Sequence, residues 1–240
     1  FVAQPAWPGL TGYDEISRRR LADAFILTDT RHGDPRPEWL AARSIPFSSF
    51  GRLHDHPEMT TWAEVDGQAG TRQAVEHLVG RGFDRIGYLG WPRGSVCGDE
   101  RRRGWEAAVS EHGLAPAPER TCRQDLLEAA EAAAPLLDEV GRGGAVVCAS
   151  DLLALGVQHS ALLRGWRVGT DIAITGFDAS PMALAYGITT LEQPLAAIAD
   201  HTLSIVHDLL RDGTTPEHGA LFTPTLIAGR STGTDPEGTP

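Results

Sequence analysis

The sequence lacks the features that mark exported, membrane-spanning or disulfide-bonded proteins. Its apolar runs are all shorter than the roughly 18 residues that a membrane helix requires, and its start does not join a basic segment to an apolar one. It contains 3 cysteines, an odd number without C-x-x-C spacing, which argues against a disulfide framework or a zinc site. We therefore expect a cytoplasmic protein with no membrane association.

Lysine is also absent, so arginine supplies every basic residue other than histidine. The formal net charge is −11, and a surface of that sign repels the phosphate backbone of nucleic acids. If the protein acts on DNA, the part that contacts DNA therefore lies outside these residues.

Motifs of catalysis and metal binding are sparse. The sequence has no Walker-type or G-x-G-x-x-G motif. His54 and His56 form an H-x-H pair, but no third ligand follows at a telling spacing, so a polar loop is favoured over a metal site. Since nothing assembles into a nucleophile, a base and an orienting group, we expect no enzyme activity, no cofactor and no metal.

One segment with a strand, a helix and a second strand organises the chain. The apolar runs Ala145–Cys148 and Ile172–Thr175 flank a helical pattern over Leu152–Leu163. Short apolar runs joined by a helix are typical of a parallel sheet buried on both faces. Ligands of such sheets bind at the carboxyl ends of the strands, where Ser150 and Asp178 lie.

The rest of the chain continues this α/β pattern. Further strands are predicted over 24–27, 45–50, 85–90 and 221–228, and helices over 37–43, 69–82, 99–112, 125–140 and 195–210. The stretch 51–66 is predicted to be a loop, and the Gly- and Pro-rich end to be disordered.

The polar residues at the strand ends allow local interpretations as well as functional ones. Asp151 precedes a helical run and is predicted to be its N-cap, and Ser150 either forms local hydrogen bonds or faces a ligand. Asp178 is either a turn residue or a ligand contact, since no helical pattern follows it directly. Of the residues Arg101–Arg103 at a helix start, at least one is expected to pair with a carboxylate or a ligand, and the others are expected to be solvated.

Several segments, taken together, resemble the lactose-repressor (LacI/GalR) family. The resemblance begins with GTRQAVEHL (70–78) and GFDRIGYLG (82–90). It continues, in family order, with 101–105, 149–156, RVGTDIAITGFD (167–178), TTLEQP (189–194), TPTLI (223–227) and RST (230–232). Each segment is weak evidence by itself, but their order and spacing over most of 70–232 make the resemblance specific.

The resemblance implies a two-lobed periplasmic-binding-protein-like fold, in which each lobe is a mostly parallel sheet flanked by helices. The N-terminal lobe is expected to comprise residues 1–90, completed by 194–220. The C-terminal lobe is expected to comprise 91–193, completed by 221–233, and 234–240 is a tail. On this template the ligand lies between the lobes.

The resemblance also implies an effector site. Arg101, Asp178 and Gln193 match family positions that hydrogen-bond the effector, usually a sugar, and a guanidinium beside a carboxylate suits vicinal hydroxyls. Ser150 stands where the family usually has Asn, and Trp91 replaces a small residue and could stack on a sugar ring. These two departures leave the identity of the sugar open.

The family's helix-turn-helix headpiece, its hinge helix, and the first strand and helix of the N-terminal lobe have no counterpart here. An open lobe without its first strand would leave a sheet edge bare, so we expect a longer protein whose headpiece carries the basic charge.

The functional expectation is the effector-sensing and dimerisation domain of a DNA-binding repressor that responds to a small carbohydrate. Its expected partners are that carbohydrate, operator DNA through the headpiece, and a second copy of the chain. The alternative is an exported sugar-binding protein of a transporter, which shares the fold, and an enzyme is a distant third.

Overall fold

The computed structural model describes residues 10–115, 118–213 and 219–233. The predicted tail over 234–240 lies outside these residues. In chain order the elements are α1 (Thr11–Arg18), β1 (Phe25–Leu27), α2 (Arg36–Ala41), β2 (Phe47–Phe50), β3 (Trp62–Val65), α3 (Gly67–Gly80), β4 (Ile86–Gly90), α4 (Val96–Glu111), β5 (Glu119–Thr121), α5 (Leu126–Val140), β6 (Gly144–Cys148), α6 (Asp151–Leu163), β7 (Ile172–Thr175), α7 (Pro181–Ala185), β8 (Thr190–Glu192), α8 (Leu195–Asp212), β9 (Ala220–Phe222), β10 (Thr225–Ile227) and a 3-10 helix (Arg230–Thr232).

The chain divides into two compact units. Unit 1 comprises Phe1–Val65 and Leu195–Phe222, and unit 2 comprises Asp66–Pro194 and Thr223–Pro240.

Unit 1 is built on a four-stranded parallel sheet with the strand order β1-β2-β3-β9. The helix α8 packs against β2 and β3 and buries Ile198, Thr202 and Ile205, whose spacing of four and three residues follows one helix face. The buried hydroxyl of Ser48 donates to the Thr202 carbonyl oxygen (3.0 Å), so this contact is hydrogen-bonded as well as apolar.

Unit 2 contains a four-stranded parallel sheet with the order β5-β4-β6-β7. Every residue of β4, β6 and β7 is buried, as expected where helices cover both faces of a parallel sheet. The antiparallel pair β8–β10 completes the unit, and a bridge between Thr175 and Thr189 connects β7 to the residue before β8.

The helices of unit 2 start where short polar side chains cap them. In each helix from α3 to α7 the N-cap side chain accepts a hydrogen bond from a backbone N–H of the first turn; the caps are Asp66, Ser95, Asp125, Ser150 and Ser180. The starts of these helices are therefore encoded locally.

Two glycines allow the helices to approach one another closely. A Cβ at Gly104 would lie 2.3 Å from the Gln68 carbonyl oxygen, where α4 crosses α3. A Cβ at Gly156 would lie 2.4 Å from Cβ of Ala129, where α6 meets α5. Both helix pairs can pack at these distances because no side chain intervenes.

The first boundary between the units differs from the predicted one after residue 90. The helix α3 and the strand β4 were predicted to lie in the N-terminal lobe, but α3 packs against α4, and β4 pairs with β5 and β6. Unit 2 therefore begins at Asp66. The physical reason is that the backbone of β4 pairs with β5 on one side and with β6 on the other, and both of these strands belong to unit 2.

The strand predicted over 221–228 is two strands in two different sheets. β9 runs parallel to β3 in unit 1, whereas β10 runs antiparallel to β8 in unit 2. Thr223 and Pro224 separate them, and proline cannot donate a hydrogen bond to a ladder. Two short strands were missed: β3 lies within the predicted loop 51–66, and β5 has no apolar alternation.

Buried hydroxyl groups attach the end of unit 2 to its sheet. Ser231 is 1% exposed, and its hydroxyl donates to the Ile174 carbonyl oxygen. Ser231 Oγ also accepts a hydrogen bond from the Thr189 amide (2.8 Å). Residues 229–233 read G-x-S-x-G, a spacing typical of hydrolase nucleophiles. Because Ser231 is buried and fully engaged with the backbone, we assign it a structural role.

Replacing Ser231 with alanine is expected to lower the free energy of unfolding by about 1–3 kcal/mol, because a buried amide then loses its acceptor. Urea denaturation measures this change. The control is Ser204→Ala on the exposed side of α8, where we expect a change within about 0.5 kcal/mol. Equal losses in the two variants would contradict the assignment.

Candidate functional site

The candidate site lies in unit 2, at the carboxyl ends of its parallel strands. Trp91 follows β4, Ser150 follows β6, and Asp178 comes shortly after β7. Gln193 follows β8, and Arg101 projects from α4. This is the edge of an open α/β sheet at which ligands bind.

Arg101 is the buried cation of the site. It is 4% exposed, its Nη1 donates to the Ala149 carbonyl oxygen and to Asp178 Oδ1 (3.3 Å), and its guanidinium carbon lies 3.6 Å from the centre of the Phe177 ring. Within the described part of the chain, its buried Nε has no hydrogen-bond partner. The guanidinium is thus held in place through Nη1, and its buried Nε–H remains without an acceptor.

The neighbouring arginines do not join the site. Arg102 pairs with Glu106 (2.9 Å), and Arg103 pairs with Glu100. The expectation that at least one residue of 101–103 meets a carboxylate is therefore confirmed. The expectation that the others are solvated is wrong for Arg102, whose side chain is only 16% exposed.

Asp178 is the carboxylate of the site. Gln193 Nε2 donates to its Oδ1 (2.6 Å), beside the bond from Arg101, whereas its Oδ2 accepts no bond from the described residues. Burial raises the pKa of the Asp178 carboxyl above its usual value; Arg101 and Gln193 oppose the shift, and the Asp151 carboxylate adds to it. The side chain keeps 35% exposure, so a ligand can reach the free oxygen.

Trp91 and Ser150 meet at a residue that the sequence did not reveal. Gln124 Oε1 accepts from Trp91 Nε1 (2.7 Å) and from Ser150 Oγ (2.8 Å). Gln124 is exposed, and its amide nitrogen has no partner among the described residues. Its position soon after β5 would have been the signal, but that strand was not predicted.

The five predicted residues therefore form one group. Arg101 connects its two halves, because its guanidinium carbon also lies 5.4 Å from the centre of the Trp91 ring. The group offers a guanidinium, a carboxylate oxygen, two side-chain amides and an aromatic face, which together can donate to, accept from and stack on a polyhydroxylated ring.

The predicted N-cap role of Asp151 is wrong, because Ser150 is the N-cap of α6 and accepts from the Leu153 amide (3.4 Å). Asp151 is 2% exposed and binds outside its helix. Its Oδ1 accepts from Thr190 Oγ1 (2.6 Å) and its Oδ2 from the Ser180 amide (2.6 Å). A serine one residue earlier already satisfies the helix, which frees the aspartate for a tertiary contact.

The described ranges contain neither a metal cluster nor a membrane span. No group of three or more His, Cys, Asp or Glu side chains there could hold a metal ion. No helix in these ranges is both long and apolar enough to cross a membrane.

Comparisons with known proteins identify the family. The model of a periplasmic binding protein-like domain matches residues 75–232, and the HTH-type transcriptional regulator AglR of Rhizobium meliloti (strain 1021) is 30% identical over 263 residues. A regulatory protein of the LacI family from Chloroflexus aggregans superposes with a TM-score of 0.89 at 28% identity, covering 96% of this chain and 84% of that one. The chain belongs to the LacI family of transcriptional regulators. The family resemblance and the periplasmic-binding-protein-like α/β fold predicted from the sequence are thereby confirmed.

Two further findings concern the length of a relative and the fold of a solved structure. The match to AglR spans 100% of this chain and 70% of AglR, so the relative has residues beyond the match. A structure of the transcriptional regulator CelR in complex with cellobiose has a TM-score of 0.80 at 24% identity, covering 93% of this chain and 71% of that one, which shows a shared fold.

The environment of Asp178 predicts its titration. Its carboxyl is expected to titrate above the usual range for aspartate, and Arg101→Met should raise the pKa further, because the guanidinium favours the charged form. The folded-state pKa exceeds the unfolded one, so protonation of Asp178 adds stability as the pH falls through the raised value. Carbon-13 NMR of the carboxyl, assigned with Asp178→Asn, measures the midpoint. An unchanged or lower midpoint in Arg101→Met would contradict the proposed electrostatics.

Proposed function

We propose that the chain is the effector-sensing and dimerisation domain of a DNA-binding transcriptional repressor, and that its effector is a small carbohydrate. The observation that carries the proposal is the group of Arg101, Asp178 and Gln193 at the strand ends of unit 2. Membership of the LacI family supports the regulatory role.

The chemistry of the group favours a neutral, polyhydroxylated ligand. A guanidinium donor next to a carboxylate acceptor matches two adjacent hydroxyls, each of which donates and accepts. Arg101 and Asp178 largely balance each other's charge, so the site has no strong preference for an ion. Trp91 adds an aromatic face that suits the apolar side of a sugar ring. The fold shared with the CelR–cellobiose complex is consistent with this ligand class.

The DNA-binding activity belongs to residues beyond this sequence. The chain carries a net charge of −11, which disfavours contact with phosphates, and AglR, an HTH-type regulator by name, is longer than the match. A helix-turn-helix headpiece places a recognition helix in the major groove. Effector binding at the site would then change operator affinity through a coupling that is reciprocal.

The rival function is that of an exported sugar-binding protein feeding a transporter, which would use the same fold and similar chemistry. The relative AglR and the Chloroflexus aggregans protein are both named as regulators, which favours the repressor and a cytoplasmic location. No observation on the described residues favours the transport function.

The decisive experiment measures operator affinity of the full-length protein by fluorescence anisotropy, on a duplex selected from a random library. Cellobiose, maltose, lactose, sucrose and their monosaccharides are added in turn. At least one sugar should change the affinity, and Asp178→Ala should abolish that response. We expect sugar binding to weaken at least tenfold, since a hydrogen bond to a charged group contributes about 1.5–3 kcal/mol.

The matched control is Asp138→Ala, which removes an exposed carboxylate whose partner is Arg164. It should leave sugar affinity and response unchanged. A response that no sugar elicits would refute carbohydrate sensing, whereas normal sugar affinity in Asp178→Ala would refute the site.

We also propose that the protein is a homodimer, which would present two headpieces to a two-fold operator. Unit 2 exposes large apolar side chains on α6 and α7, two helices that pack against each other. The most exposed are Leu163 (76%), Met182 (60%) and Leu162 (59%). Apolar surface of this kind on adjacent helices is typical of an interface.

Introducing a charge into that surface tests the dimer. Leu163→Asp at the end of α6 is expected to raise the dissociation constant of the dimer more than tenfold, because burying an unpaired carboxylate is unfavourable. Sedimentation equilibrium measures the change. Leu203→Asp on α8, a leucine with 55% exposure in unit 1, is the control and should remain dimeric. A monomeric wild-type protein, or equal effects of both variants, would contradict the proposal.

A further inference from the structure

The carboxylate of Asp151 is buried and bound on both oxygens by groups outside its own helix. Oδ1 accepts from the Thr190 hydroxyl on β8, and Oδ2 accepts from the Ser180 amide, each at 2.6 Å. The Asp151 amide in turn donates to the Phe177 carbonyl oxygen (2.8 Å). The start of α6 is therefore fastened to both sides of the loop that carries Asp178.

That loop has a strained backbone. Asp178 has φ 111° and the next residue, Ala179, has φ 51°, and both lie in the region that favours glycine. Non-glycine residues persist in such conformations when their surroundings determine them strongly. Strain of this kind at a binding residue points to a fixed orientation that the local sequence does not itself prefer.

Three successive amides hold the strained turn. Asp178 N–H donates to the Leu191 carbonyl oxygen (2.8 Å), Ala179 N–H to Thr190 Oγ1 (3.2 Å), and Ser180 N–H to Asp151 Oδ2. Two of these bonds lead to Asp151, one directly and one through the hydroxyl of Thr190. Without the Asp151 carboxylate, the Ser180 amide would lose its acceptor and the Thr190 hydroxyl would lose the group that orients it. Only the bond from Asp178 N–H to Leu191 would be unaffected.

The surrounding packing leaves the carboxylate little freedom. A Cβ at Gly176 would lie 2.3 Å from Asp151 Oδ1, so the glycine provides the space that the carboxylate occupies. Ser150 already caps α6, and the helix therefore does not need the Asp151 side chain.

We propose that Asp151 is a positioning residue for effector recognition, whose carboxylate clamps the turn 178–180 and thereby fixes Asp178 beside Arg101 and Gln193. The inference rests on the proposed function, because it gives Asp151 a role in binding the same ligand. Asp151 does not touch the ligand in this arrangement, since its oxygens are engaged with Thr190 and Ser180.

A test without ligand examines the clamp. Asparagine has nearly the volume of aspartate, but its amide nitrogen cannot accept a bond from Ser180 N–H or Thr190 O–H. In Asp151→Asn, amide hydrogen exchange at Ala179 and Ser180, followed by NMR, should accelerate at least tenfold, while exchange at Val146 in β6 stays unchanged. Thr190→Val, which removes only the relaying hydroxyl, should accelerate Ala179 alone and covers the case in which Asp151→Asn does not fold.

A double-mutant cycle examines recognition. Sugar affinity is measured for the wild-type chain, Asp151→Asn, Asp178→Ala and the double variant. The ligand is whichever sugar of the operator experiment binds the wild-type chain most tightly, and NMR titration is used where binding is weak. If Asp151 acts through Asp178, Asp151→Asn weakens binding at least tenfold by itself but less than twofold in the Asp178→Ala background. Additive losses would indicate general destabilisation and overturn the proposal.

The control is Asp171→Asn, at the opposite end of β7. The Asp171 carboxylate also accepts a hydrogen bond from a backbone amide, that of Arg167 (2.7 Å). This variant should change neither the affinity nor the exchange at Ala179 and Ser180. Unchanged exchange in Asp151→Asn would overturn the clamp while the proposed function stands. A wild-type chain that binds no sugar of the panel would overturn the proposed function, and the recognition role with it.

Discussion

The burial of the Arg101 guanidinium is the constraint on which the site in unit 2 depends. A charge removed from water must be compensated, and the compensating groups come from two separate parts of the chain. The Ala149 carbonyl follows β6, Phe177 and Asp178 follow β7, and Gln193, which follows β8, orients Asp178. One cation on α4 thus requires several strand ends to be arranged together.

The same constraint explains why the carboxylate is paired twice. Asp178 receives bonds from Arg101 and Gln193, yet burial still raises the pKa of its carboxyl. A partly desolvated carboxylate with one free oxygen is a strong acceptor for a ligand hydroxyl. The backbone at Asp178 is strained, and Asp151 holds the turn through the Ser180 amide. The protein therefore maintains the orientation of this oxygen at a cost in local conformational energy.

Most of the fold could be predicted from the sequence because its signals are local. Apolar runs such as that of β6 and capping residues such as Asp66 and Ser95 act within a few positions of the chain. The site residues Arg101, Asp178 and Gln193 were predicted through the family resemblance, since their positions 77 and 15 residues apart carry no local pattern that would join them. Gln124 was missed because it follows β5, an edge strand of three residues without apolar alternation.

The sequence by itself determined which segments become buried strands, where the helices of unit 2 start, and which family the chain resembles. The tertiary structure alone decided that β4 belongs to unit 2, that the last strand divides at Pro224, and that Asp151 serves a neighbouring loop and not its own helix. Each of these depends on a partner far away in the chain. A strand's propensity does not specify its neighbour, and a carboxylate before a helix looks the same in sequence whether its acceptor oxygens face that helix or another element.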